Sequence, residues 1–568
     1  MYLKKAKMKN GRVYLSIAEG NYNPATKQAR TINIQKIGYV DELMAEYPDP
    51  IAHFTAVVEE MNRKKAAEKT ILNITANGTE RVIGNERKNF GYVVLSSVYH
   101  GLGIDHFMSG RQQSLKSEFN LNSIMRLLVF SRLLSPASKK KTFDERDWFF
   151  ERSDFTLSDV YRALGKFSDF REALQLWIHE SIVAKNGRDT TITYYDVTNY
   201  YFEIDEQDEL RRKGVSKEHR PDPIVQMGLF MDNNGIPVSY QLFPGNTNDC
   251  MTLLPILKKI RKQYGTGKAV VVADKGMNTQ KNAYYLANSR GGYVFSQTVR
   301  GGSKELKAYV LDETGYEIYG DDYKKKSRQF TRKVEFTDDD GNLVRAEIAE
   351  KQVVFYSRDY DLRAKADRAN AVDKAKQIIK TPKNFNKYNT YGAAKYVRHI
   401  EFDKNTGEII NTGSSLSFND DVLKEEEKYD GYYTIVTSRH FESDEWVINT
   451  YKGLWKIEES FRVTKSDLEA RPIYLSREDH IQAHFLICFV SLVIARLIEQ
   501  KLGNAFSIGK ILNSLSKSCC STVSDNVFMF DYHDEVLEAI GGQFNIDFAK
   551  KFRPRAEIKN IVANSKTA

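Results

Sequence analysis

Three strand-like stretches, DTTITYYDVTNYYFE, IVQMGLFMD and GIPVSYQLFPGN, follow one another from Asp189 with no helix between them, and the last two meet at DNNG. Asn-Gly between alternating apolar runs is a strong hairpin signal. An amphipathic helix (MTLLPILKKIRKQYG), a nearly continuous apolar strand (AVVVADKGM), a second helix (TQKNAYYLANSRG) and another strand (YVFSQTV) come next. The strand after the first helix could run parallel beside the first strand. The order of three strands, helix, strand, helix and strand therefore predicts an α/β fold with a mixed sheet.

Such a sheet sets a problem at YDVTNYYFE, where Asp196 interrupts a run of β-branched and aromatic residues. An unpaired carboxylate buried in a strand costs several kcal/mol. Hydrogen bonding is one solution and a bound cation is another. If the strand after the first helix lies beside the first strand, Asp196 comes close to Asp274, and two neighbouring carboxylates either share a proton or share cations. Oxygen ligands with no Cys or His cluster nearby suit Mg²⁺ or Mn²⁺. Taken alone, Asp274 reads equally well as the cap of the next helix.

The rest of the chain divides around this segment. Residues 1–88 read as a small β module followed by a charged linker helix, and 89–187 as a helical, basic, DNA-binding segment or simply a helical packing domain. Residues 188–300 form the first part of the core, 301–429 a β-rich insertion around one charged helix, 430–502 the second part of the core, and 503–568 a C-terminal helical region. At 568 residues and 41% hydrophobic content a large buried core is available, and the formal net charge of +9 favours anionic partners. Cys250, Cys488, Cys519 and Cys520 form no CxxC pair, so the chain reads as reduced and cytoplasmic. The most apolar stretch, Phe485–Ala495, is shorter than the roughly 20 residues of a membrane span and reads as a core helix, with no membrane partner implied.

A third acidic candidate lies in YKGLWKIEESFRVTKSDL. At about 100° per residue, Leu454, Ile457, Phe461 and Leu468 make an apolar stripe. Glu458 lies about 40° from Leu454 and Glu459 roughly 140° round, which predicts that Glu459 faces solvent. Tyr451, Glu458 and Lys465 recur every seven residues, with Arg462 one turn beyond Glu458, so all four project from one side. An ordinary Glu458–Arg462 surface pair accounts for the same spacing.

Together these motifs resemble a DDE transposase of bacterial insertion sequences, in the group whose ribonuclease-H-like core is interrupted by a β-rich insertion before the last acidic residue. YYDVTNYYFE and VVVADKGM resemble the first two motifs of that family. YKGLWKIEESFRVTK resembles its Tyr-x2-Arg-x3-Glu-x6-Lys signature, with Leu454 standing where the signature has Arg. RPDPIVQMGLFMDNNGIPV, FPGNTND and ARPIY also match the group. The resemblance implies that Asp196, Asp274 and Glu458 are catalytic ligands of a pair of Mg²⁺ or Mn²⁺ ions. It implies further that Tyr451, Lys465 and Arg462, the last in place of the missing Arg, contact phosphates. The activity implied is cleavage at the ends of an element and strand transfer into target DNA, by a dimer that pairs terminal inverted repeats in a bacterial, nucleoid-associated setting. A nuclease of the same fold and a catalytically idle DNA-binding descendant are the alternatives.

Duplex DNA also needs a cationic track. The candidates are Lys139, Lys140 and Lys141; Arg211, Arg212 and Lys213; and Lys324, Lys325, Lys326 and Arg328, although a run of this kind taken alone is more often a solvated face than a binding site. Tyr316, Tyr319 and Tyr323 could stack on an unpaired base. His480 and His484 have zinc-binding spacing but no HExxH pattern, and read as packing residues; Cys519 and Cys520 read as buried small residues.

Overall fold

The computed structural model describes residues 1–8, 11–23, 28–68, 87–115, 117–215, 221–380, 393–398, 401–402, 409–411, 417–524 and 526–567. The chain divides into two units. The smaller contains an antiparallel sheet of β1 (Tyr2–Lys7), β2 (Val13–Asn23) and β3 (Gln28–Tyr39), with helix α1 (Pro50–Glu68) packed on β1.

The larger unit opens with helices α2 (Tyr92–Gly101), α3 (Ile104–Leu115), α4 (Leu121–Leu134), α5 (Lys139–Asp144), α6 (Leu157–Asp169) and α7 (Arg171–Asn186). A capping box between Thr156 and Asp159 starts α6, and Gly187 in the left-handed conformation ends α7. Then come β4 (Ile192–Tyr201), β5 (Ile224–Asp232), β6 (Pro237–Pro244), α8 (Asp249–Gln263), β7 (Val270–Ala273), α9 (Gln280–Ala287) and β8 (Tyr293–Gln297). This is the predicted order, and the DNNG hairpin closes where Asp232 N–H donates to Ile236 O at 3.0 Å.

Beyond α10 (Lys304–Leu311), β9 (Glu317–Tyr319) leads into a long hairpin, β10 (Tyr323–Thr337) and β11 (Leu343–Ser357). The hairpin belongs to the same sheet as the core. β11 pairs with β12 (Tyr432–Thr437), which pairs in turn with β8, giving a nine-stranded order β9-β10-β11-β12-β8-β7-β4-β5-β6. Only β4–β7 and β7–β8 are parallel, so the sheet is mixed.

Alternation along β4 assigns its two faces. Tyr195 and Val197 join the apolar cluster built on α8 and β7, and Tyr195 Oη donates to Thr252 Oγ1 at 2.6 Å. Tyr194 and Tyr200 point the other way, towards α13 (Asp444–Lys452), α14 (Trp455–Arg462), the π-helical turn Val463–Asp467 and α15 (Glu478–Lys501). The sequence suggests an apolar stretch too short to span a membrane. The helix that contains it is 24 residues long, apolar enough by length and composition to cross one, yet 94% of its most apolar window is buried within the protein. It packs against α4, α6 and β6, so the N-terminal helices and the sheet share one core.

The turn before α14 is held by close contact. A Cβ on Gly453 would lie 2.0 Å from Tyr194 Oη. Gly453→Ala is expected to push α14 off β4 and cost about 2 kcal/mol, within the range for overpacking. Urea denaturation of Gly453→Ala, with and without Tyr194→Phe, checks this; partial recovery in the double variant is expected, because the nearest clashing atom is gone.

Candidate functional site

Asp196 and Asp274 meet because of strand register. Tyr195 pairs with Ala273 across parallel strands, so Asp196 and Asp274 take the next position, about 5 Å apart along the sheet. The backbone at Asp274 remains extended (φ −73, ψ 168) before a short 3-10 turn. Tyr195 and Ala273 lie together in the cluster beneath the sheet, which turns both aspartates to the opposite face, the one covered by α13 and α14. Both are half-buried. Asp274 accepts 2.9 Å from Ser296 Oγ on β8 and, at a longer 3.5 Å, from Tyr451 Oη on α13. The Asp196 carboxylate accepts from the Val197 N–H at 2.7 Å.

Tyr451 is thus brought to Asp274. Its hydroxyl is 2.8 Å from that of Tyr433 on β12. Burial, then the neighbouring Tyr433 and Asp274, hold the Tyr451 hydroxyl well above its ordinary range, so it stays protonated. Ser296 and Tyr433 are missing from the sequence reading. The only signal for them is a polar atom inside an otherwise apolar strand, in YVFSQ and YYTIVT.

Helix α14 runs along β4. Gly453 meets Tyr194 at one end, while at the other Thr464 Oγ1 lies 2.9 Å from Tyr200 Oη and Lys465 Nζ sits 5.6 Å from the Tyr200 ring. With about 1.5 Å per helical residue and 3.3 Å per strand residue, Glu458 falls level with Asp196 to within about one turn. Glu458 is exposed. Among the described residues no three His, Cys, Asp or Glu side chains are gathered closely enough to hold a metal ion.

Glu459 reverses its expectation. It is half-buried and accepts from Arg496 Nη1 at 3.1 Å. Arg496, 6% exposed within the apolar helix α15, also donates to Glu499 (2.7 Å), Ser460 Oγ (2.7 Å) and Lys456 O (3.2 Å). A guanidinium buried in α15 needs carboxylate partners and draws Glu459 inward, which leaves Glu458 on the outer side of α14. Arg462 is exposed and lies 3.3 Å from Asp467.

The basic runs do not form one exposed track. Lys139 is buried, at 5% exposure, whereas Lys140 and Lys141 are exposed and face Asp144 (2.7 Å) and Glu145 (3.8 Å). Arg211 is tied to Asp208 at 2.6 Å, Arg212 is half-buried and Lys213 is exposed. In β10, Lys325 and Lys326 are buried: Lys325 pairs with Glu445 and Glu317, and Lys326 donates to Asp312 O at 2.5 Å. Lys324 pairs with Glu313 at 2.6 Å and Arg328 with Glu305 at 2.9 Å. Acidic residues of 305–317 and 445 thus neutralise this run. Tyr316 packs against Lys324 and Lys326, Tyr323 is half-buried, and Tyr319 is 53% exposed. His484 Nε2 donates to Ala470 O at 3.1 Å, and the His480 ring lies 6.0 Å from that of Tyr161. Cys519 and Cys520 are buried.

The family described as Transposase DDE domain matches residues 206–494. No curated protein matches the chain. A solved structure, the piggyBac transposase synaptic complex with hairpin DNA, is similar at 8% identity and a TM-score of 0.32, over 88% of this chain and 80% of that one.

The two neighbouring glutamates separate by role. Glu459→Gln is expected to cost about 1–2 kcal/mol by leaving part of a buried Arg496 charge uncompensated. Glu458→Gln, on the exposed side, is expected to stay within about 0.5 kcal/mol of wild type. Chemical denaturation of both variants checks the pair.

Proposed function

Because the chain belongs to the transposase DDE domain family, we propose that it is the transposase of a bacterial insertion sequence, cutting the element's ends and joining them to target DNA. The observation that supports the proposal is the parallel pairing of Tyr195 with Ala273, which puts Asp196, within β4, beside Asp274, just past the end of β7, on the face crossed by α14. On this reading the core has the ribonuclease-H-like arrangement, residues 301–429 are an insertion into it, and the helices of 89–187 help to bind DNA.

The donor set fits a hard divalent cation. Asp196, Asp274 and Glu458 offer only oxygen ligands, and Ser296 and Tyr451 orient the Asp274 carboxylate as a metal ligand requires. Bound there, a pair of Mg²⁺ or Mn²⁺ ions supplies Lewis acidity for activating water and for stabilising charge at phosphorus and at the leaving 3′ oxygen. Asp196 and Asp274 hold the rigid side of the site, and Glu458 completes it from the helix. Lys465 and Arg462 neutralise phosphates beside the scissile bond, and Tyr451, its one hydroxyl proton directed at Asp274, packs beside them. Replacing water by the freed 3′-OH leaves these contacts unchanged, so one site serves for cutting and joining. A homodimer pairing the two terminal inverted repeats completes the assembly.

Asp196→Asn, Asp274→Asn and Glu458→Gln are each expected to lower metal-dependent cleavage of the cognate ends about 10³-fold, equivalent to roughly 4 kcal/mol of transition-state stabilisation. EDTA is expected to abolish cleavage, and Mg²⁺ or Mn²⁺ to restore it. Full cleavage by Asp196→Asn would remove the catalytic assignment. Strand transfer from precleaved ends separates a transposase from a nuclease, which would cut without joining.

A further inference from the structure

Away from the carboxylates, a half-enclosed cavity of about 280 Å³ opens between α4, the start of α5 and the segment Glu469–Leu475. Its wall includes Arg132, Lys139, Arg471, Tyr474 and His484. Arg132 and Lys139 are buried, at 6% and 5% exposure. Arg132 donates to the carbonyl oxygens of Leu468 (3.2 Å), Glu469 (3.3 Å) and Ala137 (3.0 Å), while its buried Nε has no hydrogen-bond partner among the described residues. Neither Arg132 nor Lys139 forms an ion pair with a carboxylate among the described residues. Burial and the adjacent Arg132 hold the Lys139 ammonium down to about 7. His484 is kept neutral, first by burial and then by Lys139 and Arg132. Buried cations normally have counter-ions, and leaving them without any costs stability.

The position of the cavity suggests what the counter-ion is. The Arg471 guanidinium lies 5.7 Å from the ring of Tyr201, at the end of the strand that carries Asp196. Five strand residues span about 16 Å, a distance covered by about five phosphates along one DNA strand. Tyr474 stands at the mouth, 74% exposed.

We propose that this cavity is a phosphate site, in which Arg132 and Lys139 receive one backbone phosphate of DNA lying across the Asp196–Asp274 edge. The DNA source rests on the function proposed above; the anion chemistry does not.

The test uses the full chain, a random-sequence duplex titrated over a range of NaCl concentrations, and inorganic phosphate as a separate probe. Two variants remove the net charge by opposite routes: Lys139→Met deletes the cation, and Ala137→Glu adds a carboxylate to the wall. Both are expected to reduce the slope of log affinity against log salt by about one and to weaken duplex binding about tenfold. Millimolar inorganic phosphate is expected to raise the melting temperature of wild type but not of Lys139→Met. Without ligand, Lys139→Met should melt no lower than wild type; a clear drop would mark Lys139 as structural and overturn the proposal. Unchanged slopes in both variants would also overturn it. Tight binding of inorganic phosphate with unchanged duplex slopes would reassign the cavity to a small phosphorylated ligand and overturn the DNA source. If wild type binds no duplex, the function proposed above fails, and phosphate stabilisation lost in Lys139→Met then supports the anion site alone.

Discussion

The parallel pairing of Ile192–Tyr195 with Val270–Ala273 is the contact on which the candidate site depends. A shift of one residue in that ladder would send Asp196 into the apolar cluster under the sheet, where Tyr195 and Val197 now lie, while Asp274 stayed on the other face. Register is secured by β4, whose Tyr195, on the buried side, is fixed to Thr252 of α8. Two carboxylates are then held side by side on the face away from the apolar cluster, both half-buried.

The second constraint comes from behind the helix. Arg496 gathers Glu459, Glu499, Ser460 and the Lys456 carbonyl, and so fixes the rotation of α14 about its own axis. Gly453 fixes its distance from β4. These contacts decide that Glu458, and not its neighbour, faces outward at the level of Asp196. A buried arginine is a costly way to orient a helix, but it specifies a single rotation where apolar packing alone would tolerate several.

Much of this was legible in the sequence. Strand periodicity, the DNNG hairpin and the apolar β7 match the core order, whereas the contact of Tyr451 with Asp274 depends on two segments far apart in the chain. Glu459 was misplaced because a helical wheel describes one helix, whereas the partner that turned it inward, Arg496, lies in another and shows only as a charge inside an apolar run. The runs of lysine misled for a related reason. Charges in a strand covered on both faces cannot all reach solvent, so Lys325 and Lys326 found acidic and carbonyl partners inside. Lys139 follows a Ser138 cap that turns the chain into a short helix and buries the first lysine of three. That the long hairpin of β10 and β11 continues the core sheet depends on pairing with β12, far along the chain, which no local pattern encodes.

On the proposed function, Asp196 and Asp274 act as one cation site, with Glu458 joining from the helix. Anomalous diffraction from crystals soaked in Mn²⁺ tests it most directly. A manganese peak within ligand distance of the carboxylates of Asp196 and Asp274 is expected, with Glu458 drawn towards it and Glu459 still bound to Arg496. Manganese bound elsewhere, with these two aspartates unliganded, would contradict it.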